Sequence, residues 1–192
     1  MKKSIYVLLL LSLGVIACTE DDNAVDYYHN WVERNQQYID SIAQVAKENP
    51  QWLSFHTYKY PASSANASAN EFIYVKPIET GSGTTSPLYT DSVEVYYRGR
   101  LIPLYDGTEV VFDQNYRGEL DLQTAVSTKF SVSGVVTGWT TALMQMHEGD
   151  YWTIYIPTEL GYDSTKMTDI PAYSTLIFDV YLKKIIPMSS RE

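Results

Sequence analysis

The chain has 192 residues, 45% of them apolar, and a formal charge of −9, so it is long enough to bury a sizeable core and lacks the basic footprint of a nucleic-acid binder. Its single cysteine, Cys18, rules out an intramolecular disulfide, and its three histidines, His29, His56 and His147, lack metal-ligand spacing. No glycine-rich phosphate-binding string is present, so neither a metal nor a cofactor is expected, and the seventeen tyrosines point to a β-rich domain with aromatic faces.

The chain starts Met1-Lys2-Lys3, continues in a nearly unbroken apolar run from Ile5 to Leu13, and reaches Val15-Ile16-Ala17-Cys18. That run is too short for a durable membrane span and reads as a secretory signal over residues 1–17. It resembles a bacterial lipoprotein signal, in which a small residue precedes the acceptor cysteine. The resemblance implies cleavage before Cys18, lipid on that cysteine and a membrane anchor. Several acyl chains at ~0.8 kcal/mol per buried CH₂ hold firmly where one would be marginal. Loss of Lys2 and Lys3 takes the formal charge from −9 to −11, and residues 18–23 form an acidic tether.

Residues 24–49 carry helical periodicity. Tyr28, Trp31, Val32, Tyr38, Ile39, Ile42 and Val45 recur at three- and four-residue steps, with Asn49-Pro50 as a stop. The apolar stripe must pack either on its own domain or on a second copy, and the latter would make a homodimer. Residues 50–70 read as a linker ending in the small, polar stretch 61–70, although Trp52, Phe55, Tyr58 and Tyr60 are too aromatic to be free.

From residue 71 the period changes to two. Val93, Val95 and Tyr97 alternate with Glu94, Tyr96 and Arg98. Trp152, Ile154 and Ile156 alternate with Tyr151, Thr153 and Tyr155, and Leu176, Phe178, Val180 and Leu182 with Ile177, Asp179, Tyr181 and Lys183. These are antiparallel strands, each expected to keep one wet face. Thr140 to Met146 reads as a short helix. The outline over 71–187 is an α+β domain, an antiparallel sheet wrapped around one short helix.

Six segments in order carry a resemblance. Val95-Tyr96-Tyr97-Arg98-Gly99-Arg100-Leu101 is followed by Asp106-Gly107 with Phe112-Asp113, then by Phe130 with Gly134-Val135-Val136-Thr137-Gly138-Trp139. Leu143 to Gly149, Ile156-Pro157 with Leu160-Gly161-Tyr162, and Ile170-Pro171 with Leu176 to Val180 complete the set. The chain resembles an FK506-binding-protein-type (FKBP) peptidyl-prolyl cis–trans isomerase over about 60% of its length. The resemblance implies an FKBP-like fold and a proline pocket formed by Tyr97, Phe112, Asp113, Phe130, Val135, Val136, Trp139, Tyr162, Ile170 and Phe178. Of these, Trp139 would be the floor. Tyr97, Asp113, Tyr162 and Ile170 would act on the bond, with the Ile170 N–H holding the carbonyl before the proline and the Tyr162 hydroxyl a further donor. Asp113 reads either as a pocket acid or as a turn cap. Proline-containing polypeptides are the implied partners, with FK506-like macrolides as further ligands the resemblance implies.

The chemistry needs no nucleophile. Peptide rotation has a barrier of ~18–20 kcal/mol from amide resonance. A dry aromatic pocket disfavours the planar, polar amide relative to the twisted state, which is differential binding of the transition state. Two functions follow: an envelope-anchored isomerase, or a non-catalytic FKBP-like binding lipoprotein. The sequence departs from the family at the pocket rim. Ile102 to Tyr105 and the stretch before Phe130 are longer, and Asp163 stands where the family usually has glycine. Such insertions either add substrate contacts or close the pocket.

Overall fold

The computed structural model describes residues 26–61 and 67–188; the signal, the tether and Cys18 lie outside the described residues. Helix α1 (Trp31–Glu48) leads into β1 (Leu53–His56), β2 (Phe72–Glu79), β3 (Ser92–Arg100), β4 (Val111–Gln114) and β5 (Thr128–Ser131). Helix α2 (Thr137–Leu143), β6 (Tyr151–Ile156) and β7 (Leu176–Ile186) follow. All pairings are antiparallel, in the order β1-β2-β6-β7-β3-β4. Strand β5 pairs with the first half of β3, from Ser92 to Val95, and β4 with its second half, from Arg98 to Arg100.

The period-two pattern sets the two faces. Ile73, Val75, Val93, Val95, Ile154, Ile156, Val180 and Leu182 are buried on one face with Trp139, Leu143 and Met146 from α2 and the turn after it. Ideal packing there requires a glycine in α2: a Cβ on Gly138 would lie 2.4 Å from Ile156 Cγ2, so helix and strand approach closer than any side chain permits. Helix α2 spans Thr137–Leu143 rather than the expected 140–146. The Gly138-Trp139 pair is thus helical, and the chain leaves the helix at Met144. The turn that follows is held by Asp150, whose carboxylate accepts the N–H groups of His147 and Gly81.

The opposite face is not wet. Helix α1 lays Ile39 and Ile42 on Tyr74, and Trp52 stacks on Tyr155 at 5.3 Å between centroids. Thr153, Ile177 and Asp179 on that face are buried, Asp179 accepting hydrogen bonds from Arg100 at 2.7 Å and Thr153 at 2.7 Å. The buried part of the amphipathic stripe, Trp31, Ile39 and Ile42, is therefore satisfied within the chain, while Val32 and Val45 stay exposed. Asn35 fixes the docking: its Oδ1 accepts the Thr175 N–H at 2.7 Å, and its Nδ2 donates to the Trp31 carbonyl at 2.7 Å. The Trp31 indole donates to Ser174 Oγ at 3.0 Å.

Two expectations shift. The helix starts at Trp31, not near residue 24, because Asn30 adopts a left-handed backbone (φ 50°) and residues 27–30 form turns. The stretch 50–70 contains β1, which adds to the edge of β2 with Phe55 stacked on Trp152 at 5.9 Å. Its apolar side chains are too few to give a period, so only the sheet edge reveals the strand.

Candidate functional site

A hollow of about 370 Å³ opens between β3, β4, β5, the start of α2 and β7. Its aromatic walls are mutually braced. The Trp139 ring meets Tyr97 at 5.6 Å, Phe130 at 5.5 Å and Phe178 at 5.1 Å, all near edge-to-face. Such pairs contribute ~0.5–1.5 kcal/mol each beyond burial. Gly99 on β3 makes this possible: a Cβ there would sit 2.5 Å from Phe178 Cε1 and 2.8 Å from the Phe112 ring. Val135 and Val136 complete the apolar side.

The polar groups are few. Tyr97 donates its hydroxyl to Asp113 Oδ2 at 2.9 Å. Burial, then that carboxylate, pushes the Tyr97 phenol well above the usual tyrosine range, so it stays a neutral donor. Asp113 itself is exposed at the rim, whereas the sequence suggested an inward acid; its tyrosine partner anchors it there. Among the described residues the Tyr162 hydroxyl has no hydrogen-bond partner, and the buried Trp139 Nε1 has none either.

Of the ten expected pocket residues, the structure brings eight together: Tyr97, Asp113, Phe130, Val135, Val136, Trp139, Tyr162 and Phe178. Phe112 and Ile170 instead line an adjoining hollow, with Phe112 packed edge-on against Phe178 at 5.4 Å. Ile170 lies on the flap after Tyr162 and is not among the residues lining the first hollow. The reading from sequence missed two others. Gly134 lines the hollow, and the Val136 N–H, at the entry to α2, is unpaired among the described residues. The signal for both is the Gly-Val-Val triplet, whose side chains drew attention away from its backbone.

Asp163 takes a left-handed backbone (φ 52°), donates its N–H to the Thr158 carbonyl at 2.9 Å and accepts from the Tyr173 N–H at 2.7 Å. Aspartate tolerates this region better than most residues. The chain here follows the path open to a glycine, so the departure leaves the flap base intact.

A family model described as FKBP-type peptidyl-prolyl cis-trans isomerase matches residues 83–183. The chain belongs to that family. The FKBP-type 22 kDa peptidyl-prolyl cis-trans isomerase of Escherichia coli is 32% identical over 169 residues, covering 84% of this chain and 74% of that protein. The outer membrane protein MIP of Legionella longbeachae is 36% identical over 108 residues, covering 56% of this chain and 41% of that protein. The chain covers half the length of a Trypanosoma cruzi macrophage infectivity potentiator to which it is 44% identical over 110 residues. The crystal structure of FkpA from Escherichia coli superposes with a TM-score of 0.59 at 28% identity, covering 83% of this chain and 62% of that one. The FKBP fold is thus shared, and the six ordered motifs, residues 95–180, lie inside the matched span.

Proposed function

We propose that this FKBP-family chain is a peptidyl-prolyl cis–trans isomerase acting on X-Pro bonds in the aromatic hollow. The observation that carries the reading is that hollow: about 370 Å³ of apolar space over Trp139 that no side chain of the protein fills. A proline ring packs against Trp139, Phe178 and the two valines. The preceding carbonyl turns toward the unpaired Val136 N–H and the Tyr162 hydroxyl, a donor pair that replaces the Ile170 amide in this role. The apolar walls disfavour the planar amide's larger dipole, and a gain of 10⁴ in rate asks for ~5.5 kcal/mol of differential binding. Asp113 orients Tyr97 at the rim. FK506-like macrolides fit the same walls.

The protein acts in the bacterial envelope, anchored through lipid on Cys18. The basic start, the apolar run and the sole cysteine support this reading, as does the name of the Legionella relative. Its clients are then proline-containing polypeptides folding outside the cytoplasm. Cis-to-trans relaxation of a proline tetrapeptide tests the activity. Acceleration that a macrolide abolishes supports it; a rate equal to the uncatalysed one leaves a binding module. Cys18→Ser followed by membrane fractionation tests the anchor, and unchanged membrane association refutes it.

A further inference from the structure

The rim insertion Ile102 to Tyr105 has a defined structural task. The Tyr105 N–H donates to the Tyr27 carbonyl at 3.1 Å, and the Arg34 guanidinium donates to the Pro103 carbonyl. Arg34 also lies over the Trp31 and Tyr105 rings at 5.6 and 6.0 Å. The insertion therefore ties down the segment before α1. It places Tyr28, braced edge-on against Trp31 at 5.1 Å, beside the flap.

There Tyr28 helps enclose a second hollow of about 720 Å³, roughly twice the volume of the first. Its other walls are Val110, Phe112, Met167, Ile170 and Pro171. The two hollows adjoin: Phe112 and Asp113 are neighbours on β4, one lining each, and Phe112 packs on Phe178 of the first. Strand β4 is the last in the sheet, and its outer side pairs with no strand among the described residues. An unpaired edge offers backbone donors and acceptors to an extended peptide.

We propose that this second hollow is a client subsite in which the stretch of polypeptide beside the proline lies extended along β4, under Tyr28 and the flap. The subsite rests on the isomerase reading for its occupant, but its binding is separable from catalysis. The segment next to the membrane tether thus takes part in client recognition, and a long client is held more firmly than a tetrapeptide.

The test uses two fluorescein-labelled peptides, a proline tetrapeptide and a twelve-residue extension of it with apolar residues on both sides. Anisotropy gives their affinities for the full chain and for Tyr28→Ser and Met167→Ser. The expected result is tighter binding of the long peptide by wild type, weakened at least fivefold in each variant. Tetrapeptide affinity stays within twofold, and for the long peptide KM rises while kcat is kept. Equal affinity of wild type for the two peptides overturns the proposal. So does an unchanged long-peptide affinity in both variants, or an equal loss for both peptides. If Tyr28→Ser melts early, Met167→Ser decides alone, since Met167 is an exposed flap residue. Selective loss of long-peptide binding in a protein that accelerates no isomerisation sustains the subsite and refutes the isomerase reading instead.

Discussion

Gly99→Ala probes how the pocket wall is built. The added Cβ would lie 2.5 Å from Phe178 Cε1 and 2.8 Å from two atoms of Phe112. Carbon atoms rest at ~3.5–4.0 Å, so the rings must retreat by about 1 Å. Phe178 has little room, because it is buried edge-on against Trp139 at 5.1 Å. Phe112 is half-buried and can swing toward the second hollow. Overpacking of this kind costs ~1–3 kcal/mol. Relief of glycine's backbone entropy returns ~0.5–1 kcal/mol. The net is a loss of about 1–2 kcal/mol, or a fall of ~2–8 °C in melting temperature for a domain of this size. The functional effect is larger, since a 1 Å displacement of a positioning wall can cost ~10²-fold in rate. Circular dichroism melts and the tetrapeptide assay together measure this. A Gly99→Ala protein that melts and turns over like wild type would show that the rings do not define the site.

Further expectations follow from the same geometry. Asp113→Ala removes the acceptor that orients Tyr97, and kcat/KM for a tetrapeptide is expected to drop about tenfold with the melting temperature nearly unchanged; equal activity would make Asp113 only a turn cap. Asn35→Ala leaves the buried Thr175 N–H unpaired, costing ~1–3 kcal/mol, so thermal denaturation should come roughly 5 °C earlier. No change there would mean that α1 is not held as described. In alkali, burial pushes the Tyr74 and Tyr155 phenols up to about 12 and raises those of Tyr38 and Tyr151. A raised phenol favours the folded state's protonated form. That stability is complete below the unfolded value near 10 and is lost as pH climbs from there toward 12. Part of the tyrosinate absorbance should appear only as the protein unfolds; complete tyrosinate formation near pH 10 in the folded protein would contradict the burial.

Much of this protein is legible in one dimension because its elements repeat with the period of their own backbone. Alternation in β3, β6 and β7 assigns the inward residues, and a three-to-four step marks α1, since burial on one side of a strand or helix leaves a periodic trace. The six ordered motifs also name the fold, and eight of the ten expected pocket residues meet around one hollow. What escapes is decided by contacts between distant segments. Nothing local says that Phe112 and Ile170 line a second hollow, because that depends on how the flap and β4 come together. The period of α1 fixes that it must bury a stripe but not against what; Asn35 meeting Thr175 across 140 residues settles it. The second, outward face of the sheet looked wet because, Ile177 apart, the side chains named on it are polar or phenolic. Tyrosine, threonine and a paired aspartate can be buried when each polar atom finds a partner, and only the folded chain supplies those partners. The insertion at Ile102 to Tyr105 likewise has no pattern of its own. Its meaning lies in the backbone of residue 27, which sequence distance hides and tertiary structure brings within a hydrogen bond.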